Sequence, residues 1–169
     1  MMLYHLNILT DFKTEEKLKV KLNGKPGSTI LILRENILLI SHQERDLRVW
    51  NLETEENGII SLQPAKGYST EDAVLCMDYS KRKGMISAGT LNGKVANWKH
   101  RAGESTVENS WRLQTGNQVG EKVLWLEWCQ MYSALAVNTG AELTILQEEN
   151  NIICLRSKVL WLIFRRELE

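Results

Sequence analysis

Three segments of this chain repeat one pattern. Ile37–Ser41 leads to Leu47–Trp50, Met85–Gly89 to Lys94–Trp98, and Ser133–Val137 to Glu142–Leu146, with matching positions 48 residues apart. Trp50, Trp98 and Leu146 therefore share one register. A fixed period of this size marks a repeat architecture, in which each unit buries its apolar face only by stacking on its neighbours. Such repeats mostly build binding platforms, so the functional question moves from reactive groups to surfaces.

Within each unit apolar and polar residues alternate over short runs bounded by turn residues, the pattern of half-buried strands. Val74–Tyr79 is one such run and Lys94–Trp98 another, with Val95 and Asn97 on one face and Ala96 and Trp98 on the other. Asn92-Gly93 predicts a type I′ hairpin, Lys83-Gly84 a second bend, and Asn57-Gly58 a third. Four strands fit the second unit, over about residues 73–79, 85–89, 94–99 and 110–114. A four-stranded antiparallel unit of this length is the blade of a β-propeller.

The segment Met77–Trp98 resembles the core of a WD repeat. Ala88-Gly89 let the inner strand pack closely, Val95 faces the neighbouring blade, and Trp98 closes the strand. The Asp that follows Trp in that pattern is replaced by Lys99 and Asn51, no Gly-His dipeptide opens a unit, and the third unit ends in Leu146. An incomplete polar tetrad and degenerate blades are expected. Upstream, Tyr4–Leu9 and Leu18–Leu22 read as two outer strands around the polar turn Thr10–Lys17. Downstream, Ile152–Leu155 reads as a strand, and Lys158–Phe164 matches nothing earlier. The expected architecture is all-β, an incomplete WD-type propeller of about three and a half blades. An outer half-blade covers residues 1–25, blades cover about 26–65, 66–115 and 116–149, and a non-matching tail covers 150–169. Closing a ring takes about four to eight blades. The chain therefore reads as a fragment or variant product, with exposed strand edges and apolar faces.

Composition narrows the classes. Of 169 residues, 43% are hydrophobic and 25% charged, which is globular. Lys+Arg equals Asp+Glu at 21 each, so the basic excess of a nucleic-acid binder is absent. Lys81-Arg82-Lys83 reads as a solvated turn. Three scattered cysteines and a poor signal peptide point to a reduced, intracellular protein. No apolar run reaches the roughly 18 residues of a membrane-spanning helix.

Reactive constellations fail in turn. Gly24–Thr29 superficially looks like a phosphate loop, but Pro26 follows Lys25 and the required earlier Gly is Lys19. His5, His42 and His100 are isolated and read as surface or turn histidines, so no metal or other cofactor is expected. Ser61, Ser87 and the cysteines lack a strand–turn–helix elbow, and Cys76 and Cys129 fall in apolar strands where buried thiols are inert. The paired carboxylates Glu15-Glu16, Glu55-Glu56 and Glu148-Glu149 lie in polar turns. The candidate contact residues are Trp111, Trp125 and Trp128, since exposed tryptophan is enriched at hot spots. Trp125 and Trp128 are an odd number apart on one strand, so they point to opposite faces and at least one packs between blades. Trp161–Arg166 is a candidate interfacial anchor, set against a misfitted strand or tail.

Five segments, in this order and spacing, carry a closer resemblance: Lys19–Gly27, Leu47–Asn57, Ile86–Trp98, Trp111–Thr115 and Ala134–Asn138. Together they look like the N-terminal propeller region of the 140-kilodalton WD-repeat subunit of intraflagellar transport complex A, over roughly residues 3–149. The resemblance implies a non-enzymatic scaffold of retrograde ciliary transport and cilium assembly. It implies other complex A subunits as partners, membrane-protein cargo met indirectly, and a place at the cilium, ciliary base and cytoplasm. The alternatives are a cytosolic WD adaptor outside cilia, an enzyme with a channel site, or a truncated product without function.

Overall fold

The computed structural model describes the backbone of residues 2–10, 13–22, 29–34, 36–104, 106–149 and 152–160, and the side chains of 29–33, 36–104 and 106–147. The Gly24–Ser28 part of the rejected phosphate loop and the Trp161–Arg166 run lie outside the described residues. The described chain is β-structure with one short 3₁₀ turn at Pro64–Lys66. No helix among the described residues is long and apolar enough to cross a membrane.

Strands β1 (Met2–Thr10) and β2 (Lys13–Leu22) form a two-stranded antiparallel sheet. They run further towards each other than the polar turn Thr10–Lys17 predicts, because Ile8, Leu9 and Thr10 pair with Glu15, Thr14 and Lys13. Next come β3 (Thr29–Arg34), β4 (Ile37–Ser41), β5 (Asp46–Asn51) and β6 (Asn57–Ser61), an antiparallel meander. The second sheet holds β7 (Val74–Ser80), β8 (Met85–Thr90), β9 (Lys94–His100) and β10 (Trp111–Leu113), with β11 (Asn117–Gln118) pairing the start of β9. The third holds β12 (Trp125–Cys129), β13 (Ala134–Asn138), β14 (Glu142–Glu149) and β15 (Ile152–Leu160). Its last strand reaches Leu160, past the Ile152–Leu155 run, with Val159 opposite Leu143 and Leu160 opposite Glu142. Three four-stranded blades and a two-stranded half-blade are the incomplete propeller expected from the repeat.

The 48-residue period holds for the third strands but drifts in the second strands of the last unit. Leu38 pairs with Trp50, Ile86 with Trp98, and Leu135 with Leu146. Ile86 and Leu135 are thus 49 apart, because the hairpin between β13 and β14 has one residue fewer. Side-chain period is two, so the one-residue difference decides which residues face inward. Leu135 and Val137 are fully buried, whereas Ala134 and Ala136 are only half-buried.

Two turns differ from expectation. Asn57 and Gly58 lie within β6, opposite Trp50 and Val49. The bend is earlier: Asn51 Oδ1 accepts from the Glu53 and Thr54 amides at 3.0 and 3.3 Å, and Glu55 takes φ +59°. An Asx turn at Asn51 supplies locally what Asn-Gly was expected to supply. Gly58 is small for another reason, since a Cβ there would lie 3.1 Å from Glu108 Cβ and 3.2 Å from its amide nitrogen. At the β8–β9 hairpin Asn92 is not at positive φ; Gly93 is, at +75°, and its amide donates to Thr90 O at 3.2 Å. That is a three-residue loop closed by a left-handed glycine, not a type I′ turn.

The core follows the seams between sheets. Leu33, Leu39, Leu47, Val49, Ile60 and Leu62 of the first blade bury against Met77, Tyr79, Ile86, Ala88, Ala96, Trp98, Trp111 and Leu113 of the second. On the far side of the second sheet Met85 and Val95 meet Val119, Val123, Leu126, Trp128, Leu135, Val137 and Leu146. Every residue of β8 is therefore buried.

Candidate interaction surface

The seam between the second and third sheets sets the surface beside it. Asp78, on β7, accepts the Trp128 amide on Oδ2 at 2.6 Å and its neighbour's amide, Tyr79 N, on Oδ1 at 2.7 Å. Trp128 Nε1 donates to Ser87 Oγ at 3.0 Å, and Ser87 Oγ donates to Asn97 Oδ1 at 2.6 Å. All three side chains are at most 2% exposed. Buried polar groups need partners, and these satisfy one another across two sheets. Where a polar tetrad was expected to be degraded, the structure holds this indole–hydroxyl–amide chain. It also commits Ser87 to a structural role, as the Ser61 hydroxyl is committed to Asp46.

The same seam fixes two neighbouring hairpin turns. Arg82, in the β7–β8 turn, donates from Nη1 to Met131 O at 2.9 Å, and Gln130 Nε2 donates to Tyr79 O at 3.1 Å. These bonds hold the β12–β13 turn against the β7–β8 turn with Met131 75% and Tyr132 69% exposed. Lys81 and Arg82 are exposed alongside. A methionine and a tyrosine on a turn whose backbone is held beside basic residues combine an adaptable apolar contact, an aromatic anchor and positive charge. The basic run is thus part of a patch rather than an isolated solvated turn. Sequence reading missed Met131 and Tyr132, although a signal exists: apolar residues stand where the preceding unit's turn has Lys81–Lys83.

The three candidate tryptophans separate. Trp128 is buried in the seam. Trp111 is buried too, edge-on to Tyr79 at 6.3 Å and to His100 at 5.1 Å between ring centroids. The Arg101 amide donates to Ser110 O, so the loop before Trp111 doubles back and returns it to the inner face of the sheet. Trp125 is 44% exposed, on the opposite face of β12 from Trp128, beside exposed Leu124. Of the three, Trp125 alone is exposed.

Two other expectations change. His42 is buried rather than a surface histidine, and Cys129 is exposed rather than buried. Among the described residues no group of His, Cys, Asp or Glu is placed to hold a metal ion. Burial raises the Cys76 thiol to about 11, outweighing the bonds it receives from the Gly89 and Leu126 backbone. The thiolate is the nucleophile, so a shift of this size removes about two orders of magnitude of reactivity near neutral pH. Iodoacetamide at pH 8, followed by peptide mass spectrometry, should alkylate Cys129 at least about tenfold faster than Cys76. Burial, helped by the Asp72 carboxylate, likewise pushes the Tyr68 phenol above its usual range. Both folded values lie above ordinary ones, so the unfolded chain loses protons first. The stability these two groups contribute should be fully present at neutral pH and be lost as pH rises past about 9, which urea unfolding at about pH 8 and about pH 10 would show.

The fold has known counterparts. The Myceliophteria thermophila Cps50 (Swd1) beta-propeller domain superposes with a TM-score of 0.62 at 11% identity, covering 86% of this chain and 48% of that one. The structure of U3-55K matches with a TM-score of 0.58 at 11% identity, over 81% of this chain and 43% of that one. The RRP9 WD40 repeats match with 0.57 at 12% identity, over 81% and 42%. At these identities the likeness is one of fold, and this chain spans less than half the length of each. Residues 1–149 match the model of the IFT140 first beta-propeller, and the chain belongs to that family.

Proposed function

We propose that this chain acts as a protein–protein scaffold within intraflagellar transport complex A, in retrograde ciliary transport and cilium assembly. The observation that carries the reading is the family match over residues 1–149. On this reading its partners are other complex A subunits, it meets membrane-protein cargo indirectly, and it works at the cilium, the ciliary base and in the cytoplasm. The patch of Lys81, Arg82, Met131 and Tyr132 supports a contact role, because hydrogen bonds already hold it in place and binding would cost little ordering. Trp125 offers a second contact.

The test is capture of the tagged 169-residue chain from ciliated cells, with identification of what accompanies it. Complex A subunits should be recovered. The double substitution Met131→Ala/Tyr132→Ala should lower their recovery about tenfold, the scale of a moderate hot spot. Recovery of other cytosolic partners instead would favour an adaptor outside cilia, and recovery of chaperones alone a product without the scaffold role.

A further inference from the structure

Positive charge gathers at one end of the second sheet. The β7–β8 turn carries Lys81 and Arg82, both exposed, and Lys83. The end of β9 lies against that turn, since the His100 amide donates to Gly84 O at 2.9 Å. Just before it, Lys99 pairs with both Met85 and Arg112, so the two basic residues share the face of Met85, towards the third sheet. The whole chain has as many acidic as basic residues, so this excess is local. Asp78, the one carboxylate on β7–β10, is already taken by the Trp128 and Tyr79 amides. Among the described side chains neither Lys81 nor Arg82 forms an ion pair. Arg82 is nonetheless anchored, with Nη1 on Met131 O, and the rest of its guanidinium fork is left for a carboxylate. Across the seam stand Met131 and Tyr132, the most exposed of the large apolar side chains described. They lie on a turn at the end of the strands, not on a sheet face that a further sheet would cover.

We propose that this end of the seam binds an acidic segment of a partner protein, in which carboxylates flank an aromatic or branched apolar side chain. Charge complementarity selects the occupant. Lys81 and Arg82 draw carboxylates and fix their register, while Met131 and Tyr132 supply the apolar area that charge alone does not. The footprint is two adjacent turns, which suits a short segment. A nucleic acid would need the overall basic excess that this chain lacks. The inference rests on the reading of the chain as a protein-binding scaffold and names the chemistry of the partner at the patch of Lys81, Arg82, Met131 and Tyr132.

Selection from a random-peptide phage library on the immobilised 169-residue chain tests it. The recovered peptides should be acidic and carry an aromatic or branched apolar residue. The strongest of them, labelled with fluorescein, is then titrated with the chain by anisotropy. Lys81→Glu and Tyr132→Ala, both at exposed turn positions, should each weaken binding at least about tenfold. Lys122→Glu makes the same charge change at the other end of β8, where the Val123 amide meets Thr90 O, and should alter binding less than about twofold. A tenfold rise in salt shortens the screening length about threefold and should weaken binding at least about threefold. Circular dichroism checks that each variant keeps its β-structure. Basic or uncharged peptides, no enrichment, indifference to Lys81→Glu or Tyr132→Ala, or an equal loss with Lys122→Glu would overturn the proposal. So would cosedimentation with phosphatidylserine vesicles that depends on Lys81 when no acidic peptide is selected, which would make the surface a lipid contact. Acidic peptides that bind at this patch, without recovery of complex A subunits from cells, would uphold the surface and sink the complex reading. Recovery of those subunits with no acidic peptide selected would do the reverse.

Discussion

Trp128→Ala should lower the unfolding free energy by about 3–5 kcal/mol, a large share of the about 5–15 kcal/mol typical of a domain. Two losses add. The indole is 2% exposed among Val95, Val123, Leu135 and Leu146, so its removal opens a cavity. Its Nε1–H also leaves the Ser87 hydroxyl, itself completely buried. Ser87→Ala keeps the indole but strands two buried groups, Trp128 Nε1 and Asn97 Oδ1. Leaving such groups unpaired costs about 1–3 kcal/mol. Urea unfolding of Trp128→Phe, Ser87→Ala and the double variant should show costs well short of additive, since both changes break one bond. Additive costs, or a Trp128→Ala loss below about 1 kcal/mol, would mean that the hydrogen-bonded chain does not anchor the seam.

Gly93→Ala should cost about 3 kcal/mol, whereas Gly103→Ala should cost about 1 kcal/mol. The two glycines share a backbone conformation, with φ +75° and +86°. They differ in surroundings. A Cβ on Gly93 would strike the Gly120 carbonyl, while one on Gly103 meets nothing within 4 Å. The Gly120 carbonyl cannot retreat easily. The Val119 and Gly120 amides both donate to Gly93 O, at 2.9 and 3.3 Å, and Val123 N donates to Thr90 O at 3.1 Å. The linker into the third sheet is thus laid directly on the β8–β9 hairpin. The left-handed conformation alone accounts for the Gly103 cost, so the difference between the variants measures the clash. Thermal unfolding of both would show it, and equal shifts would mean that the linker yields.

What the sequence determined by itself was periodic and local. The recurring strands ending at Trp50, Trp98 and Leu146 specify four-stranded units, because alternation and turn residues act over a few residues and need no distant partner. Val95 and Trp98 could be placed on opposite faces for the same reason, and so could Trp125 and Trp128. Tertiary structure decided which of those faces found a neighbour. Trp125 and Trp128 look alike in the sequence, yet one lies in water and the other in a seam, because only one side of the third sheet is covered. Trp111 followed a polar loop but turned inward once that loop folded back on itself. The 49-residue spacing of Ile86 and Leu135 was hidden by a shorter hairpin, whose length shows only when strands pair. Met131 and Tyr132 became a surface feature only through Arg82 and Gln130, which reach from one sheet to the next. Periodicity lies within one strand and can be read along the chain, whereas a seam joins residues about fifty positions apart and exists only after the sheets have stacked.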